Sequence, residues 1–263
     1  IPFGVSKTVL LYRARRYHCK CGKNFVENKE HILSNYQMTQ RYLFYILEKL
    51  GKKVSFKDLE FSKDFSEKVN NIHPSIKKAL RAECRNIKYY LNSEKNRAYK
   101  NAIGGMIIDL NAQANDSTLA HEIMHICDIK HKISKTLNKS LKADYNAICT
   151  KANGDVYKYM QSTYQDAFVK RPTGYYVMRP EYRAVSDILN GLSKGKDHFG
   201  YGHDDKYWKK KNRIEAEALA QISRIYYENN PTVVKMIEEL FPDYSQKALK
   251  KIGEVYNVGA RIH

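Results

Sequence analysis

Long apolar runs are missing from this 263-residue sequence: no segment approaches the roughly 20 apolar residues that a helix needs to cross a bilayer, so no membrane span is expected. Acidic residues are scarce beside basic ones, 28 against 46, which leaves a formal net charge of +18. Such a potential attracts nucleic acid, anionic surfaces or an acidic partner. Lys and Arg recur along the whole chain, however, and a dedicated nucleic-acid face is expected only in residues 1–60. Cysteine is also sparse. The five, at positions 19, 21, 84, 127 and 149, are odd in number and irregular in spacing, which excludes a small disulfide scaffold and points to a reducing compartment. The opening Ile1-Pro2-Phe3-Gly4 lacks the charged-then-apolar layout of a secretory signal, and the cytoplasm is the expected location. What is present is the balance of a folded protein: 43% hydrophobic residues, 28% charged residues and 21 tyrosines.

Along the chain, residues 5–25 read as a short β-hairpin closing through Tyr17-His18-Cys19-Lys20-Cys21-Gly22. An amphipathic helix is expected over residues 38–51, with Tyr42, Leu43, Ile46 and Leu50 on one face and Gly51 ending it. A further helix should start at Val54. The composition then shifts to Lys, Ser and Asp, which sets a boundary between a basic region over residues 1–63 and a main domain over 64–263. In the main domain a helix is expected over residues 66–82, strands over 87–91 and 105–110, and a helix capped by Asp116 or Ser117. Further helices follow over 140–168. Residues 194–208, rich in Gly, Asp, His and Tyr, read as a long loop, a helix begins at Asn212, and Pro231 opens another.

The chemistry concentrates in His121-Glu122-Ile123-Met124-His125. On a helix four residues advance about 400°, so both imidazoles project from one face at successive turns, the spacing that a single zinc ion needs. Glu122, on the adjoining side, is placed to accept a proton from water acidified by that ion. The alternative is a surface helix with two solvated histidines. A catalytic zinc takes a third protein ligand, and Glu217, on the helix Glu215-Ala216-Glu217-Ala218-Leu219-Ala220, is preferred over His131. If the first helix continues, His131 is rotated away from His125. Asp128, three residues after His125, is expected to support a ligand histidine through its outer nitrogen, or else to be solvated near the helix end.

These two segments resemble the catalytic domain of anthrax lethal factor and its relatives, and domains of that kind encoded in phage and mobile elements, over roughly residues 66–255. The resemblance implies a gluzincin: an α+β, mainly helical, zincin-like fold, with zinc held by His121, His125 and Glu217 and with Glu122 as general base. It also implies a tyrosine that stabilises the oxyanion, for which Tyr207 is the first candidate and Tyr201 and His203 follow. One position departs from the pattern, Met124 standing where the family has Gly before the second histidine. Residues 1–60 are similar to the zinc-binding and helix-turn-helix region of insertion-sequence transposases, through Arg15-Arg16-Tyr17-His18-Cys19-Lys20-Cys21-Gly22. Only one Cys pair with a single spacer remains of the four ligands that a structural zinc needs.

The expected function is therefore a zinc-dependent endopeptidase acting on a peptide or protein substrate, its cleft lying between the His121 lobe and the helices that supply Glu217. The competing expectations are a catalytically silent interaction domain of the same shape, and a protein that binds DNA weakly through residues 1–60.

Overall fold

The structure, a computed structural model, describes residues 16–18, 24–26, 52–59, 62–91 and 93–257. The chain divides after Leu50 into two units. In the first, strands β1 (Arg16–His18) and β2 (Asn24–Val26) pair antiparallel with Tyr17 opposite Phe25, as the hairpin reading requires. Cys19, Cys21 and the helix expected over residues 38–51 lie outside the described residues.

The boundary precedes residue 63, because β3 (Lys52–Val54) belongs to the second unit, where it pairs antiparallel with β4 (Lys88–Leu91). The helix expected from Val54 is only one 3-10 turn, Phe56–Asp58. The single helix expected over 66–82 is two, α1 (Ser62–Lys68) and α2 (Pro74–Glu83). Pro74 is the physical reason: it has no N–H to continue a helix but suits a first turn, and His73 Nδ1 caps that turn by accepting from Ser75 N at 3.3 Å.

The main sheet runs β3-β4-β6-β5, with β5 (Arg97–Lys100) at the edge and β6 (Met106–Asp109) inside. β4 and β6 are parallel, Tyr89 opposite Ile108, and β5 returns antiparallel to β6. The sequence reading missed β5. Its residues are only half-buried, as an edge strand allows, so the alternation that betrays a strand is weak.

Helices α3 (Asp116–His131) and α4 (Ile133–Lys151) follow, joined through Lys132 alone. Lys132 is left-handed (φ 53°), its N–H donates to Asp128 O at 2.7 Å, and the Asp128 carboxylate accepts from Ser134 N and Oγ, both at 2.7 Å. Next come α5 (Val156–Thr163), the hairpin of β7 (Phe168–Lys170) and β8 (Tyr176–Met178), α6 (Arg183–Leu192), the short α7 (Asp205–Trp208), α8 (Arg213–Glu228), α9 (Pro231–Leu240) and α10 (Pro242–Asn257). The second unit is thus mostly helical with a small sheet, an α+β arrangement.

α3 is buried nearly all round, with β5 and β6 on one side and α8 on the other. Leu119, Ile123 and Ile126 of α3 join Ile108, Leu189, Leu219 and Ile222 in one continuous core, each fully or almost fully buried. At roughly 1.5–3 kcal/mol per buried aliphatic side chain, this packing fixes the rotation of α3 and so the direction of its polar residues.

The loop between α6 and α7 is fastened to α6 by two small polar side chains. Ser186 Oγ donates to Tyr201 O at 2.7 Å and accepts from Tyr201 N at 3.0 Å. Asn190 accepts from Trp208 Nε1 at 2.7 Å through Oδ1 and donates to Asp197 O at 3.3 Å through Nδ2. Gly202 fits against it with φ 148°, where a Cβ would come within 2.6 Å of Asn190 Oδ1. Replacing Asn190 with Ala strips the buried Trp208 N–H of one of its two acceptors and should lower the unfolding free energy by about 1–3 kcal/mol, measured by urea denaturation.

Candidate metal centre

The site is built on two helices. Asn115, not Asp116 or Ser117, caps α3, its Oδ1 accepting from Thr118 N at 2.9 Å, while Asp116 accepts from Tyr227 Oη at 2.9 Å. From that start, His121, Glu122 and His125 point toward α8, where Glu217 answers them. His121 Nε2 lies 3.1 Å from His125 Nε2, His121 Nε2 is 3.3 Å from a Glu217 oxygen, and His125 Nε2 is 3.4 Å from the other. His121, Glu122 and Glu217 are 6%, 5% and 3% exposed, which rules out a surface helix with solvated histidines.

These residues fit a metal ion. Donors bound tetrahedrally at about 2.0–2.2 Å stand about 3.3–3.6 Å apart, and the three separations here are close to that range. His121, His125 and Glu217 each offer a ligand atom within 4.8 Å of the others. Glu122 Oε2 is buried without a hydrogen-bond partner, a cost of about 1–3 kcal/mol that an ion's bound water would relieve, and Glu217 Oε2 has only its 3.3 Å approach to His121 Nε2.

Electrostatics without an ion show the strain of this packing. Burial lowers His121 to about 4, helped by the Arg224 charge. Burial also opposes charge on His125, but the Glu217 carboxylate more than offsets it and raises that imidazole to about 9. Glu217 is held well below the usual carboxylate range, because the two histidines outweigh its burial. Burial pushes the Glu122 carboxyl up to about 7.

The loop residues divide. Tyr207 donates a hydrogen bond from its hydroxyl to Glu217 Oε1, and Arg213 lies over its ring, 5.1 Å from the centroid. His203 stacks on Tyr207 with centroids 3.9 Å apart, and its Nδ1 is 3.2 Å from Asp187. Burial opposes charge on His203, but Asp187 raises its pKa. Tyr201 meets α6 through its backbone. A cleft of about 390 Å³ opens beside the cluster, lined by Glu94, Lys95, Asn96 and Asn111 from the sheet side, by Thr118, His121 and Glu122 of α3, by His203, and by Gln221 and Arg224 of α8. Tyr207 and Tyr201 do not line it.

Two expectations on α3 are corrected or narrowed. Asp128 does not support a ligand histidine: both its oxygens cap the start of α4 through Ser134, because the single-residue joint brings that helix onto it, and His121 Nδ1 has no hydrogen-bond partner. His131, the last residue of α3, is exposed and stands edge-on to Tyr256 at 5.4 Å, apart from the cluster.

Sequence reasoning did not assign Asp187, Gln221 or Arg224 to the site. Asp187 accepts from Gln221 Nε2 at 2.6 Å, and Gln221 Oε1 accepts from Arg224 Nη1 at 3.2 Å. The signals were present: Gln221 and Arg224 follow Glu217 at the i+4 and i+7 positions of one helical face, and Asp187 is a carboxylate among Ala184, Val185, Ile188 and Leu189. Asp187, His203 and Glu217 also approach one another within 4.8 Å. Asp187 is already engaged there by His203 and Gln221, so this is an extension of the same site.

Comparison with protein-family models, with curated proteins and with solved structures gave no match.

A metal ion entering the cluster has to displace the proton on His125. Titrating the metal-free protein with Zn²⁺ at pH 7, in buffers of different ionisation enthalpy, should therefore release about one proton per ion. Below the His125 value of about 9, apparent affinity should weaken roughly tenfold for each unit of falling pH.

Proposed function

We propose that residues 51–263 form a zinc-dependent peptidase of gluzincin type, with a zincin-like fold in which His121, His125 and Glu217 hold the metal. The observation that carries this reading is the convergence of His121, His125 and Glu217 within 4.8 Å of one another, with Glu122 Oε2 buried and unpartnered beside them and with His121 and Glu122 lining a cleft. The resemblance of both helices to the lethal factor catalytic domain supports the same assignment. A cleft of about 390 Å³ lies at the small end of ligand pockets and has room for a short stretch of extended peptide.

Zinc at this position supplies Lewis acidity, polarising a carbonyl and acidifying water. Glu122 takes the proton from the attacking water and passes it to the departing amine, a role open to a carboxylate whose Oε2 is buried without a partner beside the three donors. Burial of the cluster excludes competing solvent and strengthens each charge interaction within it. His203, which lines the cleft and is oriented by Asp187 3.2 Å from its Nδ1, donates to the carbonyl oxygen as negative charge develops there. Tyr207 braces this donor by stacking on it and fixes Glu217 through its hydroxyl, so it is a positioning residue in this arrangement.

Elemental analysis should find about one zinc per chain, lost in His121→Ala and in Glu217→Ala. A Glu122→Gln variant should keep its zinc while kcat/KM on a peptide library falls about 10²–10⁴-fold. Zinc retained by Glu217→Ala would remove that residue from the ligand set. Zinc bound by the wild type without cleavage of any peptide would leave the silent interaction domain as the better reading.

His203→Ala should lose more activity than Tyr207→Phe, about 10²–10³-fold in kcat, if it supplies the oxyanion donor; the reverse order would return that role to Tyr207.

A further inference from the structure

The cleft contains a cation with no ion-paired carboxylate among the described residues: Glu228, Glu122 and Asp187 act on Arg224 only from beyond 4.0 Å. Arg224 sits two turns beyond Glu217 on the same face of α8, and its guanidinium reaches the cleft alongside Glu122 and Thr118. It donates from Nη1 to Gln221 Oε1 at 3.2 Å and from Nε to Ser117 O at 3.5 Å, both neutral acceptors. Among the described residues no carboxylate comes within 4.0 Å of it to form an ion pair. The neighbouring Arg183 is treated differently: its Nη2 is 2.6 Å from Glu228 and 2.6 Å from Ser117 Oγ. The acid available at this corner is thus taken by Arg183. Asp187 is engaged by Gln221 and His203, and Glu122 faces the reacting water in the reading above. Lys95 and Glu94 line the cleft too, adding one charge of each sign.

An arginine cannot shed its proton to relieve burial, and its planar fork is shaped for two parallel bonds to a carboxylate. Resting on the peptidase reading, we propose that Arg224 is a specificity-determining residue that pairs with a carboxylate of the substrate, either an acidic side chain or the free C terminus, close to the scissile bond. Helix geometry sets the distance. Seven residues rise about 10 Å along α8, and a helical side chain leans back toward the N terminus, which the bond to Gln221 reflects. With about 3.4 Å per residue of extended chain, the carboxylate belongs to the first or second residue from the cleaved bond.

The test reads binding separately from turnover. Fluorescence anisotropy on zinc-loaded Glu122→Gln protein would compare four labelled alanine-based hexapeptides, carrying Glu or Gln near the centre and ending in a free or an amidated C terminus. An acid should bind about tenfold or more tightly than its neutral counterpart in one of the two pairs, and that pair identifies the source of the carboxylate. The preference should vanish when Arg224→Gln is added and shrink in Arg224→Lys, which keeps the charge without the fork. The Lys variant replaces the Gln variant should the latter fail to fold. No preference, whether all four peptides bind alike or none binds, overturns the proposal, as does a preference that survives Arg224→Gln. A charge preference in binding, with no cleavage by protein bearing Glu122, would instead overturn the peptidase reading and leave the carboxylate site standing.

Discussion

Two imidazoles and two carboxylates are packed into the interface between α3 and α8, with an aliphatic core on one side and a polar cleft on the other. Polar groups in such a place destabilise a fold unless something compensates for their lost hydration. Part of the compensation is internal, since Glu217 faces both histidines and takes a hydrogen bond from Tyr207. The remainder is left open at Glu122 Oε2 and at His121 Nδ1. The core on either side, from Ile108 in the sheet to Leu219 in α8, is what forces these groups to stay together at that cost.

From this constraint the rest of the arrangement follows. α3 has to be buried on both sides to hold its rotation, so it needs a sheet on one flank and helices on the other. α8 has to lie against it in a register that sets Glu217 opposite the turn between His121 and His125. The loop between α6 and α7 closes the third side, and polar ties to Ser186 and Asn190 deliver His203 from the loop and Tyr207 from α7.

Much of this was legible in the sequence. The paired histidines stand out by their i, i+4 spacing and Glu217 by its place among Ala216, Ala218, Leu219 and Ala220, and the structure brings all three together. The helix after Asn212, the one opened by Pro231 and the long loop up to residue 204 were legible from turn and capping chemistry, whereas the last four residues of the expected loop form α7, capped by Asp204 accepting from Tyr207 N. Less legible were features decided by tertiary contact: the edge strand β5 has weak alternation, and β3 owes its existence to pairing with β4. Asp128 illustrates the same limit. Its spacing from His125 favours a supporting bond to the histidine, yet the chain reverses at Lys132 and presents Ser134 to it first. Arg224 and Gln221 were readable as positions on the Glu217 face, but nothing in the sequence tells which arginine of the pair at positions 183 and 224 takes Glu228.

That reversal at Lys132 has a wider meaning for how the chain tolerates change. One left-handed residue, locked by Asp128 on both of its sides, couples α3 mechanically to α4, so neither helix can slide or roll alone. Length variation is therefore disfavoured at this joint, since an added residue would carry Ser134 away from the Asp128 carboxylate that caps α4. The tip between β7 and β8, closed by Arg171 and Tyr175 with Gly174 in open space, has no such linkage. Insertions that diversify this protein over evolutionary time would accumulate there and leave the spacing of the histidines intact.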